Sequence, residues 1–314
     1  MVSAPAMQAA VRRLAGRGVG SLLLAAAAKP AGSWPGAAAA APRPARGAAA
    51  AAATAAMPPS SATFLASSEA ATSSLADLAG GYSSSSAATG VPPPSPGDVY
   101  ALTGPVGAGK SAWARAFIRA AACDRDLAVP SPTYLLHNVY EEACGGGEGG
   151  GGDRPAIHHF DLYRLGGPGP DRPEGSDADG PASLAAFDVD RTGLGQALAS
   201  GVSLIEWAER LGAGGAASAA AGAGVDAPPA VVLVHLAPLS PEGVAALLAR
   251  ATVTGCTQSG EFDADDDDPY TDARPRAVTL AAGPGSPARA AARVAAVAAA
   301  VRSGAGGPGL ALVE

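Results

Sequence analysis

Lysine is almost absent from this chain: of its 21 basic residues only Lys29 and Lys110 are lysines, and the rest of the positive charge is written as arginine. Aromatic residues make up 4% of the sequence, and much of its 48% hydrophobic content is alanine in low-complexity runs. A core must therefore come from shorter stretches rich in Val, Leu and Ile. With 42 glycines and 28 prolines in 314 residues, one padded domain is the better reading than two. The three cysteines, Cys123, Cys144 and Cys256, have no CxxC or metal-ligand spacing and argue for no disulfide framework. No apolar run approaches the roughly 20 residues needed to cross a bilayer, so no membrane role is expected.

Acidic residues are missing before Glu69, while Arg12, Arg13, Arg17, Lys29, Arg43 and Arg46 lie among Ala, Ser and Pro. That is the composition of an organellar transit peptide, chloroplast or mitochondrial, over residues 1–60; a disordered Ala-rich leader is the alternative, with a cytoplasmic protein as its consequence. The net charge of −7 becomes −13 once those six are set aside. Such an acidic body is a poor direct binder of nucleic-acid backbones.

The pattern of elements is α/β: a sheet flanked by helices, in a single domain with low-complexity insertions. Order is expected to begin with a helix capped by Ser68. Asp98 to Thr103 reads as a strand, 111–122 as a helix, 134–140 and 157–162 as strands, 195–199 as a helix, and 202–205 as a strand ending on Glu206. The most strand-like segment is 229–236, with 276–280 as a partner. Insertions near 145–152, 166–181, 213–227 and 257–272 read as flexible loops by composition. Ser286 and Pro287 fit the start of a helix over 286–303, and 304–314 reads as a tail.

Gly104, four residues, then Gly109, Lys110 and Ser111 satisfy G-x-x-x-x-G-K-[ST], between a strand and a helix. Glycines let successive N–H groups point into one concavity, and the helix that begins there adds its dipole; together they bind polyphosphate. Lys110 would reach the β and γ phosphates, and the Ser111 hydroxyl would ligate Mg²⁺. A compact ammonium in a chain that otherwise uses guanidinium makes a chance glycine-rich turn a poor explanation. The magnesium shell needs a carboxylate at the end of a neighbouring strand; Asp161 and Glu206 both end apolar runs. Thr133, in the SPTY sequence, stands where a switch residue could approach a γ-phosphate. His137, His158 and His159 lack metal spacing and read as structural.

GPVGAGKS, SPTY at Ser131, HFDLYRL at His159 and IEW at Ile205 occur in an order that resembles the TsaE (YjeE) family. The resemblance implies a small P-loop ATPase that acts with TsaD-like and TsaB-like proteins in N6-threonylcarbamoylation of adenosine 37 of tRNA, touching the tRNA only indirectly. Carried over by position, Gly104, Gly107, Ala108, Gly109, Lys110, Ser111 and Ala112 would hold ATP. Ser111, Glu206 and Asp161 would hold Mg²⁺, and Asp161, Thr133 and Lys110 would serve hydrolysis. The chain departs from the family at Pro105, where bacterial members usually have aspartate, a change that bears on hydrolysis rather than on binding. Two other readings stay open on the residues alone: a small P-loop kinase for a metabolite, for which only Arg164 and Arg172 offer lid arginines, and a non-catalytic protein that binds ATP to order its surface.

Overall fold

The computed structural model describes residues 60–81, 89–141, 155–164, 193–211, 215–222, 224–254 and 274–314. In chain order they form β1 (Ser61–Ala66), α1 (Glu69–Gly80), β2 (Asp98–Thr103), α2 (Lys110–Ala122), β3 (His137–Tyr140), β4 (Ile157–Asp161), α3 (Leu194–Ser200), β5 (Val202–Glu206), a 3₁₀ turn (Ala208–Leu211), α4 (Gly215–Gly222), β6 (Ala230–Pro238), α5 (Pro241–Arg250), β7 (Val253–Thr254), β8 (Arg276–Ala282), α6 (Ala288–Arg302) and β9 (Leu310–Val313). One nine-stranded sheet has the order β3-β4-β5-β2-β6-β8-β1-β9-β7. Its centre, β4-β5-β2-β6, is parallel, and β3 and β8 flank it antiparallel.

Burial of β2 on both faces explains its nearly unbroken apolar sequence. Tyr100 and Leu102 point into the larger core, with Trp113 and Phe117 of α2 and Leu75 of α1. Val99 and Ala101 point the other way, toward Phe160, Leu198, Ile205 and Trp207. The Trp113 and Phe117 rings stack at 5.4 Å, and Tyr100 lies 4.4 Å from Phe117. Truncating Phe117 to alanine in so full a core would cost about 3–5 kcal/mol. The phosphate-loop helix is thus wedged against the strand that precedes it.

The other end of β2 is clamped. Asp98 is buried, and its carboxylate accepts from Arg293 Nη2 (2.8 Å), Arg289 Nε (3.0 Å) and the Ser95 N–H (2.9 Å). Both arginines come from α6, so this helix fastens the sheet's central strand. Ser286 does not cap it: the Ser286 Oγ accepts from the Val231 N–H at 3.1 Å, and Pro287 occupies the cap without a side-chain bond.

Other expectations need correction. Order begins before Ser68, because β1 pairs with both β8 and β9. Residues 304–314 are not only a tail, since β9 lies there. The segment 213–227 is not a loop throughout: its alanines form α4, which buries Ala216 and Ala220. The strand expected over 134–140 is only His137–Tyr140, because Leu136 takes φ 66° and its N–H closes a turn onto the Pro132 carbonyl (2.6 Å). Cys123 is disulfide-bonded, which its sequence spacing gave no reason to expect. The leader up to residue 59 and the insertions 145–152, 166–181 and 257–272 lie outside the described residues. Among the described residues no helix is long and apolar enough to cross a membrane.

Candidate functional site

Parallel pairing puts the carboxyl ends of β2, β4 and β5 on one edge of the sheet, with Asp161 directly beside Glu206 in the β4/β5 register. Ligands of open α/β sheets bind at that edge. A cleft of about 460 Å³ lies there, bordered by Gly107, Ala108, Gly109, Lys110, Ser111, Ala112, Thr133, Asp161 and Glu206, and also by Glu69, Val106, Tyr163, Trp207 and Arg276. Of the candidate residues only Gly104 is not in its wall; it sits at the root of the loop.

The glycines are required by geometry. Gly104 has φ 139°, and a Cβ there would stand 2.3 Å from the Leu236 carbonyl oxygen of β6. Gly107 and Gly109 have φ 74° and 97°, in the left-handed region that side chains avoid. The loop therefore curls tightly against β6 before α2 begins at Lys110, and a helix N-terminus is a favourable place for an anion. Pro105, which lacks an N–H, serves through its carbonyl, which accepts from the Ala108 N–H (3.2 Å) and Lys110 Nζ (2.9 Å).

Lys110 is buried and folded onto its own loop. Its Nζ also donates to the Gly104 carbonyl at 2.7 Å and lies 3.6 Å from the Trp207 ring centroid. Trp207 itself has φ 59°, a strained conformation for a bulky residue, and Tyr163 packs on it at 5.1 Å. The strain turns the chain so that the indole follows Glu206 into the cleft wall.

Glu206 is the hub. Its Oε2 accepts from the Ser111 hydroxyl at 2.7 Å, and its Oε1 lies 2.8 Å from His159 Nε2, with both side chains almost fully buried. The carboxylate thereby fixes the imidazole proton on Nε2. Read from sequence as structural, His159 holds a residue of the cleft in place. Only the alternation of IHHFD, which places His159 and Asp161 on one side of β4, could have indicated this.

Asp161 is held from two sides. Its Oδ1 accepts the Tyr163 N–H at 2.9 Å, and its Oδ2 accepts the Thr133 hydroxyl and, more distantly, Ser131 Oγ (3.4 Å). The SPTY segment is thus tied to the end of β4; its Tyr134 and the following Leu135 are 81% and 74% exposed, an apolar surface next in sequence to Thr133. His137 of β3 and His158 of β4 pair across the two strands. His137 Nε2 and His158 Nδ1 are 3.0 Å apart, and His137 stacks on Phe160 at 4.1 Å. Burial, with the neighbouring imidazoles, pushes the His137 pKa down to about 4; burial also lowers His158.

The donor set fits a magnesium nucleotide. Mg²⁺ prefers hard oxygens, commonly one or two carboxylates with substrate phosphates, and Ser111 and Glu206 present a hydroxyl and a carboxylate already in contact. Among the described residues no group of three or more His, Cys, Asp or Glu gathers to form an all-protein metal site. The cleft volume falls within the roughly 300–1,000 Å³ of small-molecule sites.

The sequence model of the family described as threonylcarbamoyl adenosine biosynthesis protein TsaE matches residues 83–222. The tRNA threonylcarbamoyladenosine biosynthesis protein TsaE of Mycobacterium leprae is 38% identical over 111 residues, 35% of this chain and 56% of that protein. The protein of the same name from Mycobacterium tuberculosis is 32% identical over 115 residues, 37% of this chain and 56% of its own length. That of Aquifex aeolicus is 35% identical over 68 residues, 22% of this chain and 44% of its own. The chain therefore spans about half the length of the curated relatives it matches. A glycine-built loop, two carboxylates on adjacent parallel strands and these likenesses agree: residues 83–222 of the chain are similar to the TsaE family.

Proposed function

We propose that this chain binds ATP with Mg²⁺ and hydrolyses it as an accessory protein of tRNA N6-threonylcarbamoyladenosine formation. The observation that carries the reading is the meeting of Lys110, Ser111 and Glu206 in one cleft at the carboxyl edge of the sheet. The names of the matched relatives support the pathway.

In this reading backbone N–H groups of the loop from Gly107 to Ala112, other than that of Ala108, bind the phosphates, and Lys110 exchanges its carbonyl and indole partners for phosphate oxygens. Ser111 and Glu206 would hold Mg²⁺, with Asp161 beside them; bound metal supplies charge neutralisation on the transferred phosphoryl group. Asp161 presents carboxylate oxygens at the cleft wall, where it would orient a water by accepting a hydrogen bond from it. Thr133, hydrogen-bonded to Asp161, links that event to SPTY and so to the exposed Tyr134 and Leu135. That apolar surface supports docking of a TsaD-like or TsaB-like partner whose state follows the nucleotide, with tRNA contacted through the partner. The acid-free leader supports an organellar address.

Two measurements test this. Full-length chain titrated with ATP by calorimetry should bind in Mg²⁺; a folded chain that binds none removes the nucleotide reading. In a bacterium depleted of its own TsaE, the chain should restore the modified adenosine in tRNA, and the Lys110→Ala variant should not. Rescue by Lys110→Ala would refute the ATP-dependent role.

A further inference from the structure

Arg276 lies beyond the matched segment 83–222, yet it forms part of the phosphate cleft. It opens β8, where Pro238 of β6 is its register partner; the root of the phosphate loop packs on Leu236 of the same strand. Arg276 is 1% exposed. Its Nε donates to the Ala108 carbonyl at 3.0 Å, and its Nη1 donates to the Arg274 carbonyl at 2.9 Å. The fit is close enough that a Cβ on Gly109 would come within 3.3 Å of Arg276 Nε.

A trans peptide points its C=O and its N–H in opposite directions. Capturing the Ala108 carbonyl on the Arg276 side therefore turns the N–H of the same peptide unit, that of Gly109, to the other side. This N–H belongs to the loop's phosphate-binding run. The planar fork spans two carbonyls, one on the loop and one on its own strand, and so ties the loop to β8 at a fixed spacing.

We propose that Arg276 is a positioning residue that presets the phosphate loop, so that polyphosphate affinity depends on a strand outside the family-matched segment. The proposal rests on the reading that 104–111 binds phosphate. It differs from a mere packing role in one respect: the effect of losing Arg276 should scale with the number of phosphates on the ligand.

The test uses the full chain and its Arg276→Gln and Arg276→Lys variants, with folding checked by circular dichroism and thermal unfolding. Each is titrated with adenosine, AMP, ADP, ATP and inorganic tripolyphosphate in Mg²⁺. Arg276→Gln should weaken ATP and tripolyphosphate about tenfold, the worth of one charge-assisted hydrogen bond, and leave adenosine nearly unchanged. Arg276→Lys should recover part of the loss, since an ammonium cannot span both carbonyls. A folded Arg276→Gln chain with wild-type ATP affinity overturns the proposal, as does an equal loss for every ligand. If the glutamine variant does not fold, the lysine variant decides on the same phosphate-number criterion. Wild-type chain that binds neither ATP nor tripolyphosphate sinks the nucleotide reading itself, a result separate from either outcome for Arg276.

Discussion

Glutamine in place of Glu206 separates a metal role from a packing role, because the two predict effects of different sign. The carboxylate takes one bond from Ser111 Oγ and one from His159 Nε2. The isosteric amide can keep both contacts, accepting from the imidazole through its oxygen and donating to the hydroxyl through its nitrogen. Folding should therefore lose only about 1 kcal/mol, the difference between charged and neutral hydrogen bonds. With Mg²⁺ present, ATP should bind about 10–100-fold more weakly, the usual penalty for disturbing residues that hold or orient a metal, or ~1.4–2.8 kcal/mol. In a chelator the sign reverses: the carboxylate now faces phosphate charge without a cation between them. Such repulsion can reach a few kcal/mol near contact at an effective dielectric of about 20, so Glu206→Gln should bind metal-free ATP as well as wild type or better. Calorimetric titrations with Mg²⁺ and with EDTA read both numbers. Equal weakening in the two buffers would refute the assignment of Glu206 to the metal shell.

Gly104→Ala should cost about 2–4 kcal/mol, since a backbone carbonyl stands 2.3 Å from the new methyl and φ is 139°; an unchanged melting temperature would contradict the packing of the loop on β6. His137 holds its pKa near 4 in the folded chain against 6.5 ordinarily, so the unfolded chain takes the proton first as pH falls. Stability is therefore full above about pH 6.5 and declines toward pH 4, and thermal unfolding of His137→Gln should show a shallower decline; identical slopes would refute the role of this imidazole. Lys110 lies over the Trp207 ring, so ATP binding should change the indole emission, and Trp207→Phe should abolish that change while binding persists. A full-size change in the variant would place the signal at another tryptophan.

The parallel centre of the sheet was legible because its strands carry their signal locally: β2 runs apolar into a glycine loop, and β5 runs apolar into Glu206. Elements that depend on distant partners were not. β1 is a short run beside low-complexity sequence, and β9 follows a glycine-rich turn; both are strands because β8 and each other supply their hydrogen bonds. The alanines of α4 looked like filler, yet alanine has the highest helix propensity, and Ala216 and Ala220 find a surface to pack on. At the site, the phosphate loop, Asp161 and Glu206 were visible as motifs. The parts played by His159 and Arg276 were not, because they consist of contacts with Glu206 and Ala108 across 47 and 168 residues.

The pairing of β1 with β8 and β9 has a consequence for biogenesis. Thr63 meets Thr279 across 216 residues of chain, so during synthesis β1 leaves the ribosome long before either neighbour exists. Its apolar Phe64 and Leu65 must wait, solvent-exposed, until residues 276–313 emerge. Long-range closure of this kind is slow and leaves nascent chains prone to association. A chain ending before β8 would keep its sequence motifs but lack both strands that pair with β1.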